Sequence, residues 1–170
     1  WHWRTDPSPT YVGGSGAVAV SDDGGVIAGN VYNSANEQVA AIWTQGTGWV
    51  ELGYLQGALA CPSRSSAYDI SADGQTVVGL SWIGCSGRGF RWTPQTGMLE
   101  LEAMANGGNR ASAISADGTH IVGFAQGSFS RTPSRWFSHD DSGEVISETL
   151  VGEYRGVTDD GAVSMGSLGN

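Results

Sequence analysis

The sequence predicts an all-β fold made from one repeated unit, and three observations carry that prediction. A Ser/Thr-x-Asp-Gly phrase occurs four times, and its glycines are spaced 50, 44 and 43 residues apart. They are Gly24, Gly74, Gly118 and Gly161. Short β-branched runs follow the phrases, with apolar and polar residues alternating at the period of a strand rather than that of a helix. The many glycines lie at the turns between these runs, where a positive φ is needed.

Each unit is interpreted as four strands, A to D. The Asp-Gly pair is a strong signal for the hairpin that joins A to B. Strand B ends on a glycine, as in residues 77–79, and strand C carries a tryptophan, at Trp43, Trp92 or Trp136. Strand D alternates, as in residues 98–102. Four antiparallel strands in about 40–45 residues form one blade of a β-propeller, so we expect about four four-stranded blades.

The units divide the chain, as a single repeat domain, into three complete blades and one split blade. The complete units cover approximately residues 13–55, 67–105 and 111–151, and the split unit combines 154–170 with 1–12. The C-terminal part supplies strands A and B only, whereas residues 2–5, which contain Trp3, match a C strand. The residues assigned to the closing of this blade are Trp3, Arg4, Tyr11, Val12, Val157, Val163 and Met165.

The N-terminal strand can close the split blade in two ways. It can pair within its own chain, which gives a closed ring, or it can complete the blade of a neighbouring chain, which gives a head-to-tail polymer. Either arrangement removes the unpaired edge of strand B, which would otherwise invite aggregation. The sequence leaves both open.

Charge and hydropathy exclude two classes of partner. The formal net charge is −9, with 8 basic residues, all of them arginine, so a phosphate backbone is repelled and no nucleic-acid partner is expected. No apolar run approaches the roughly 20 residues of a membrane helix, so membrane insertion is not expected. The chain begins at Trp1 rather than Met, which favours a mature, trimmed or partial chain.

The two cysteines, Cys61 and Cys85, are interpreted as one structural disulfide. A zinc site needs more ligands than two cysteines and scattered histidines provide, and the spacing is not that of a redox motif. In the strand scheme Cys61 lies in the loop from D to the next A, and Cys85 in the B–C loop of the same unit. Both loops lie on one face, close enough to bridge. A disulfide favours an extracellular location, secreted or at the cell surface.

The same face carries the longest irregular loops and is the expected ligand face. Candidate ligand residues there are Arg64, Arg88 and Arg110, which together suit a carboxylate or a sulfated glycan, and Trp82, an aromatic side chain outside the repeated register. The repeated tryptophans, Trp3 included, are expected in the core, because they recur at one register. No catalytic motif is found, the paired aspartates fit turns rather than calcium loops, and no metal or cofactor is expected.

The Ser-x-Asp-Gly phrase, the Val-Val-Gly run and the Arg-Trp pair of the C strand together resemble the HAF family of probable extracellular repeats. The resemblance implies an exported, propeller-like scaffold without defined chemistry. We therefore expect a non-enzymatic extracellular structural or assembly protein with the chain itself as partner. The alternative is an extracellular binding module for a glycan or protein, using the loop face of Cys61 and Cys85.

Overall fold

The computed structural model describes residues 10–57, 61, 63–105, 107–128, 130–146 and 149–169. Those residues form fourteen strands and no helix. In chain order the strands are β1 (Gly16–Val20), β2 (Val26–Tyr32), β3 (Gln38–Thr44), β4 (Gly48–Gly53), β5 (Ser65–Ile70), β6 (Val77–Ile83), β7 (Ser86–Thr93), β8 (Gly97–Glu100), β9 (Asn109–Ile114), β10 (His120–Gln126), β11 (Arg131–Phe137), β12 (Gly143–Val145), β13 (Val151–Val157) and β14 (Ser164–Gly169). Nothing in these ranges is a helix of the length and hydropathy needed to cross a membrane.

The strands pair in chain order into four antiparallel sheets. The first sheet is β1–β4, the second β5–β8 and the third β9–β12, each with four strands. The fourth sheet consists of β13 and β14 alone among the described residues. The all-β prediction is therefore confirmed.

The repeated phrase is a hairpin turn whose polar groups satisfy one another. In the second sheet the Ser71 hydroxyl donates to Asp73 Oδ1 over 2.6 Å, and the backbone N–H of Gln75 donates to the same oxygen over 2.9 Å. The Thr76 N–H donates to Ser71 Oγ over 3.0 Å. Gly74 has φ +70°, a conformation that side chains rarely adopt. The other three phrases make the same hydrogen bonds.

These turns also join neighbouring sheets to one another. The Asp22 N–H donates to the Ala72 carbonyl, and the Ala72 N–H donates to the Ala116 carbonyl, both over 2.9 Å. The Asp117 N–H donates to Asp159 Oδ1 over 3.1 Å. All four turns therefore meet on one side of the molecule, and the loops between sheets lie on the other.

The first strand of each sheet lies innermost and contains a bulge. β5 packs between β1 and β9, and β9 packs against β13. The pairing register skips one residue in each of these strands, at Val18, Tyr68, Ser112 and Arg155. A bulge bends its strand and redirects the side chains next to it, which matters for the site described below.

The core consists of the interfaces between successive sheets. Phe90 and Val77 are fully buried between the first and second sheets, where the half-buried Trp92 packs against them. Trp136 and Leu101 are fully buried between the second and third sheets. The Trp136 indole N–H donates to the Glu102 carbonyl over 3.0 Å, so its one polar group is satisfied. Trp43 is half-buried, and Trp3 lies outside the described residues.

The fourth sheet has one buried and one exposed strand. β13 packs on β9, β10 and β11, and its Val157 contacts a cluster formed by Ala113, Val122 and Tyr154. β14 and the residue before it are largely exposed: Val163 is 61% and Met165 67% exposed.

The residues expected to complete this sheet are only partly described. Trp3 and Arg4 lie outside the described residues. Tyr11 and Val12 lie outside the fourteen strands, and the Val12 carbonyl accepts a hydrogen bond from the Trp49 indole on β4 over 2.8 Å. Trp49 thus holds Val12 beside the first sheet, and the assignment of Tyr11 and Val12 to the closing of the split sheet stays a prediction.

Candidate functional site

The centre of the site is a buried carboxylate surrounded by arginines. Glu153, the third residue of β13, is 4% exposed. Its Oε2 accepts from Arg110 Nη2 at 2.5 Å and from Arg131 Nη1 at 3.4 Å, and its Oε1 accepts from Arg155 Nε at 2.7 Å. A buried carboxylate is stable only when it is paired in this way.

Aromatic rings hold two of these arginines in place. The Arg110 guanidinium lies over the Tyr68 ring, 4.6 Å from its centroid, and 5.0 Å from that of Phe124. Arg131 lies 4.4 Å from the Phe124 centroid. Arg110 also donates to the Tyr68 hydroxyl over 3.3 Å and to Ser112 Oγ over 3.2 Å. Cation–π contacts and hydrogen bonds together fix its orientation.

A neighbouring carboxylate fixes the strands that carry these groups. Asp69, which follows Tyr68 on β5, accepts from the Ile114 N–H of β9 through Oδ2 and from the Ile70 N–H through Oδ1, each over 2.9 Å. Burial raises the pKa of Asp69, and the two backbone hydrogen bonds oppose that rise. This link between β5 and β9 sets the distance between Tyr68 and Arg110.

The arginines border an open groove at the loop end of the sheets. One part, of about 340 Å³, has Trp82, Cys85, Ser86, Gln126, Arg110, Phe124 and Arg131 among its lining residues. The adjoining part, of about 280 Å³, is lined by Tyr68, Arg110, Ser112, Glu153 and Arg155. We call the two parts together the arginine groove. In the described part of the chain, three arginines and one carboxylate line it, which leaves an excess of two positive charges on a chain with a net charge of −9.

The predicted disulfide is present at the rim of the groove and is confirmed. Cys61 and Cys85 are bonded, with 5.2 Å between their Cα atoms. Cys85 lies in the turn between β6 and β7 with φ +74°, and it lines the groove beside Trp82. The bond ties the loop that precedes β5 to that turn, which restricts the motion of this side of the groove.

Two of the four predicted ligand residues line the groove, and one adjoins it. Trp82 and Arg110 are lining residues, and the Arg64 guanidinium lies 5.7 Å from the Trp82 ring centroid. Arg88 is engaged elsewhere: it donates to the Gly107 carbonyl over 2.7 Å and pairs with Glu100 at 3.4 Å.

Sequence reasoning missed Arg131, Arg155 and Glu153. They lie on two different strands and match no motif. Arg131 begins its strand at the loop end, a position that many other residues share, and nothing in the sequence marked Glu153 or Arg155. Within the described ranges, no group of three or more His, Cys, Asp or Glu side chains is placed to hold a metal ion.

Comparison with known proteins identifies the fold. No protein-family model matches the chain, and no curated protein is similar to it in sequence. A solved structure assigned as TolB from Agrobacterium tumefaciens is similar over 76% of this chain and 45% of its own length, with 17% identity and a TM-score of 0.60. TolB from Acinetobacter baumannii is similar over 89% of this chain and 40% of its own, with 11% identity and a TM-score of 0.55. The chain thus spans less than half the length of either structure. The likeness confirms the predicted fold class, a β-propeller arrangement of antiparallel sheets.

Proposed function

We propose that the chain is a non-enzymatic extracellular structural subunit whose fourth sheet is completed by an added strand. The strand is the N-terminal segment, residues 1–12, of the same chain or of a neighbouring one. The observation that carries the proposal is the contrast between sheets: the first three have four strands each, and the fourth has two in the described part of the chain.

The exposed side of the fourth sheet suits an added strand. β14 leaves Met165 and Leu168 67% and 42% exposed, and Val163 just before it is 61% exposed. A strand with an open edge and apolar side chains is a template for another strand, which would cover both its backbone groups and its apolar surface. A complementary segment exists at the N-terminus, where Trp3 corresponds to the tryptophan of the C strands that follow strand B in the other units.

Exposed apolar residues on the first sheet, at the other end of the row of four sheets from β14, support pairing between chains. Val18 and Val20 of β1 are 44% and 55% exposed, although β1 is an inner strand like the well-covered β5 and β9. Both ends of the row of sheets therefore present apolar surface. Contact between the two ends of successive copies is head-to-tail, and such a contact produces fibres when it does not close into a ring.

The disulfide supports the extracellular part of the proposal. Bonds of this kind persist in oxidising compartments and are rare in the reducing cytosol. The resemblance of the repeated phrases to the HAF family points in the same direction.

Hydrogen exchange at β14 tests strand addition directly. For the amides of Ser164–Gly169 that are not hydrogen-bonded to β13, we expect slow exchange in the full chain and fast exchange after deletion of residues 1–10. Fast exchange of these outward-facing amides in the full chain would overturn the proposal for both modes of closure. Electron microscopy of the same samples separates the modes, because polymers that disappear on deletion indicate pairing between chains.

A matched pair of substitutions controls for non-specific effects. Met165→Glu places a charge on the proposed interface and is expected to weaken the protection of β14 and any polymer. Leu99→Glu alters a partly exposed apolar residue of β8, on the second sheet, and is expected to change neither. Equal effects of the two would argue against a specific interface at β14.

The arginine groove favours a second candidate function, an extracellular binding module. Three arginines are held in place by ion pairs with Glu153 beside an open groove, and they form a positively charged surface on an acidic chain. A glycan and protein array probed with the full chain tests this function, and an absence of hits would count against it.

A further inference from the structure

We infer that the arginine groove binds an anionic saccharide, with the carboxylate or sulfate of a sugar ring held between Arg131 and Arg155. The inference rests on the binding function proposed for the groove, and it does not depend on strand addition at β14. A sugar that carries a carboxylate and a sugar that carries a sulfate share the same chemistry, an oxyanion on a hydroxyl-rich ring.

Arg131 and Arg155 have the donors that an incoming anion needs. A guanidinium carries five N–H donors. Arg131 and Arg155 each use one nitrogen for Glu153, and their side chains are 50% and 62% exposed. Arg110 is 17% exposed and is already bonded to Glu153, Tyr68 and Ser112, so it positions the cluster rather than receiving the ligand.

The charge balance of the groove favours an anion. Among the described residues, Glu153 is the one acidic residue that lines the groove, and it is shared by three arginines. Two positive charges remain without a lining carboxylate, so an oxyanion would gain charge-assisted hydrogen bonds and relieve repulsion between neighbouring guanidinium groups.

The rest of the lining suits a sugar ring. Ser86 and Gln126 are exposed polar side chains within reach of ring hydroxyls, and Trp82 is 36% exposed at the rim. The larger part of the groove, about 340 Å³, falls within the range of about 300–1,000 Å³ usual for small-ligand sites. A polyphosphate backbone fits less well, because the chain as a whole carries a charge of −9 and repels it beyond the groove.

Calorimetric titration of the full chain tests the inference with four probes. The probes are a galacturonate trisaccharide, a sulfated galactose trisaccharide, the neutral galactose trisaccharide and an acidic tripeptide. We expect binding of at least one anionic sugar, weakened by salt, and no measurable binding of the neutral sugar or the peptide. The relative affinities of the first two identify the oxyanion.

Three variants locate the binding. Arg131→Gln and Arg155→Gln are each expected to weaken binding of the anionic sugar by a factor on the order of ten, since each removes a charged hydrogen-bond donor. Arg135→Gln removes a positive charge from β11 outside the groove, where Arg135 pairs with the exposed Glu144 and donates to the Gly161 carbonyl, and is expected to leave binding unchanged. Thermal unfolding of each variant confirms that the fold is retained, and Arg155→Lys is expected to recover part of the affinity.

Four outcomes would overturn the inference. They are absence of binding to both anionic sugars, equal binding of the neutral sugar, tighter binding of the acidic peptide, and an equal loss of affinity in Arg135→Gln. Slow exchange at β14 together with any of these would leave the assembly role standing while the groove assignment fails.

Discussion

Replacement of Glu153 by glutamine is the most informative single perturbation of this structure. The carboxylate is 4% exposed and neutralises Arg110, which is itself 17% exposed and held by Tyr68. The substitution Glu153→Gln keeps a side chain of similar shape but removes the negative charge. Three guanidinium groups would then converge on a neutral amide, and Arg110 would remain largely buried without a counter-charge.

The expected cost is about 3 kcal/mol of unfolding free energy. Removal of one partner from a buried ion pair costs about 3–5 kcal/mol, and the lower value applies because Arg131 and Arg155 are half-exposed and screened by water. For a chain of this length, about 3 kcal/mol lowers the melting temperature by about 6–12 °C. The pair of Arg135 and the exposed Glu144 is the control, and Glu144→Gln should cost less than about 1 kcal/mol.

Urea unfolding followed by tryptophan fluorescence measures these differences, and a double-mutant cycle with Arg110→Met isolates the pair. The double variant should be more stable than the sum of the single costs implies, by about 0.5–3 kcal/mol, because the methionine removes the charge that Glu153 no longer neutralises. A cost for Glu153→Gln equal to that of Glu144→Gln, or strict additivity in the cycle, would refute the reasoning.

Three further outcomes are expected. Cys61→Ser combined with Cys85→Ser should lower the unfolding free energy by about 3 kcal/mol, because the bond closes a loop with a sequence separation of 24; a reducing agent should do the same to the wild type and nothing to the variant. Trp136→Ala should cost about 3–5 kcal/mol by urea titration, since the side chain is fully buried, and a cost below about 1 kcal/mol would show that the interface between the second and third sheets is not packed as described. A hydrogen bond from the Ser115 hydroxyl lowers the pKa of Asp117, and one from the Thr158 hydroxyl lowers the pKa of Asp160. The two ionised carboxylates therefore stabilise the fold above about pH 4, and this stabilisation is lost as the pH falls through their lowered folded-state pKa. Replacement of Asp117 and Asp160 together by asparagine should reduce the fall of the urea midpoint below about pH 4. An unchanged dependence of the urea midpoint on pH would contradict this.

The turns and strands could be predicted because their determinants are local. Each Ser-x-Asp-Gly phrase satisfies its own polar groups within six residues, as Ser71, Asp73 and Thr76 do. Its glycine takes the positive φ that the turn requires. The fixed distance to Trp92 and Trp136 then marked the C strands, and the division of the chain into four-stranded units followed. The disulfide could be predicted for a related reason, because its two loops end up on one face in any four-stranded repeat.

The composition of the arginine groove depended on contacts that the sequence does not encode locally. Alternation shows that a strand has two faces, but the register and the bulges decide which face each residue joins. The bulge at Arg155 lies two residues beyond Glu153 on β13, and that at Ser112 lies two residues beyond Arg110 on β9. A shift of one residue in either strand would turn these side chains away from each other.

The sequence by itself determined the all-β class, the repeated hairpin, the four-stranded unit and the pairing of Cys61 with Cys85. Tertiary structure alone decided that Arg110, Arg131 and Arg155 meet on Glu153 and that Arg88 pairs with Glu100 instead. The physical reason is the separation of the interacting groups along the chain. A turn is stabilised by hydrogen bonds within a few residues, whereas a charge cluster needs the packing of two sheets to bring its members within hydrogen-bonding distance.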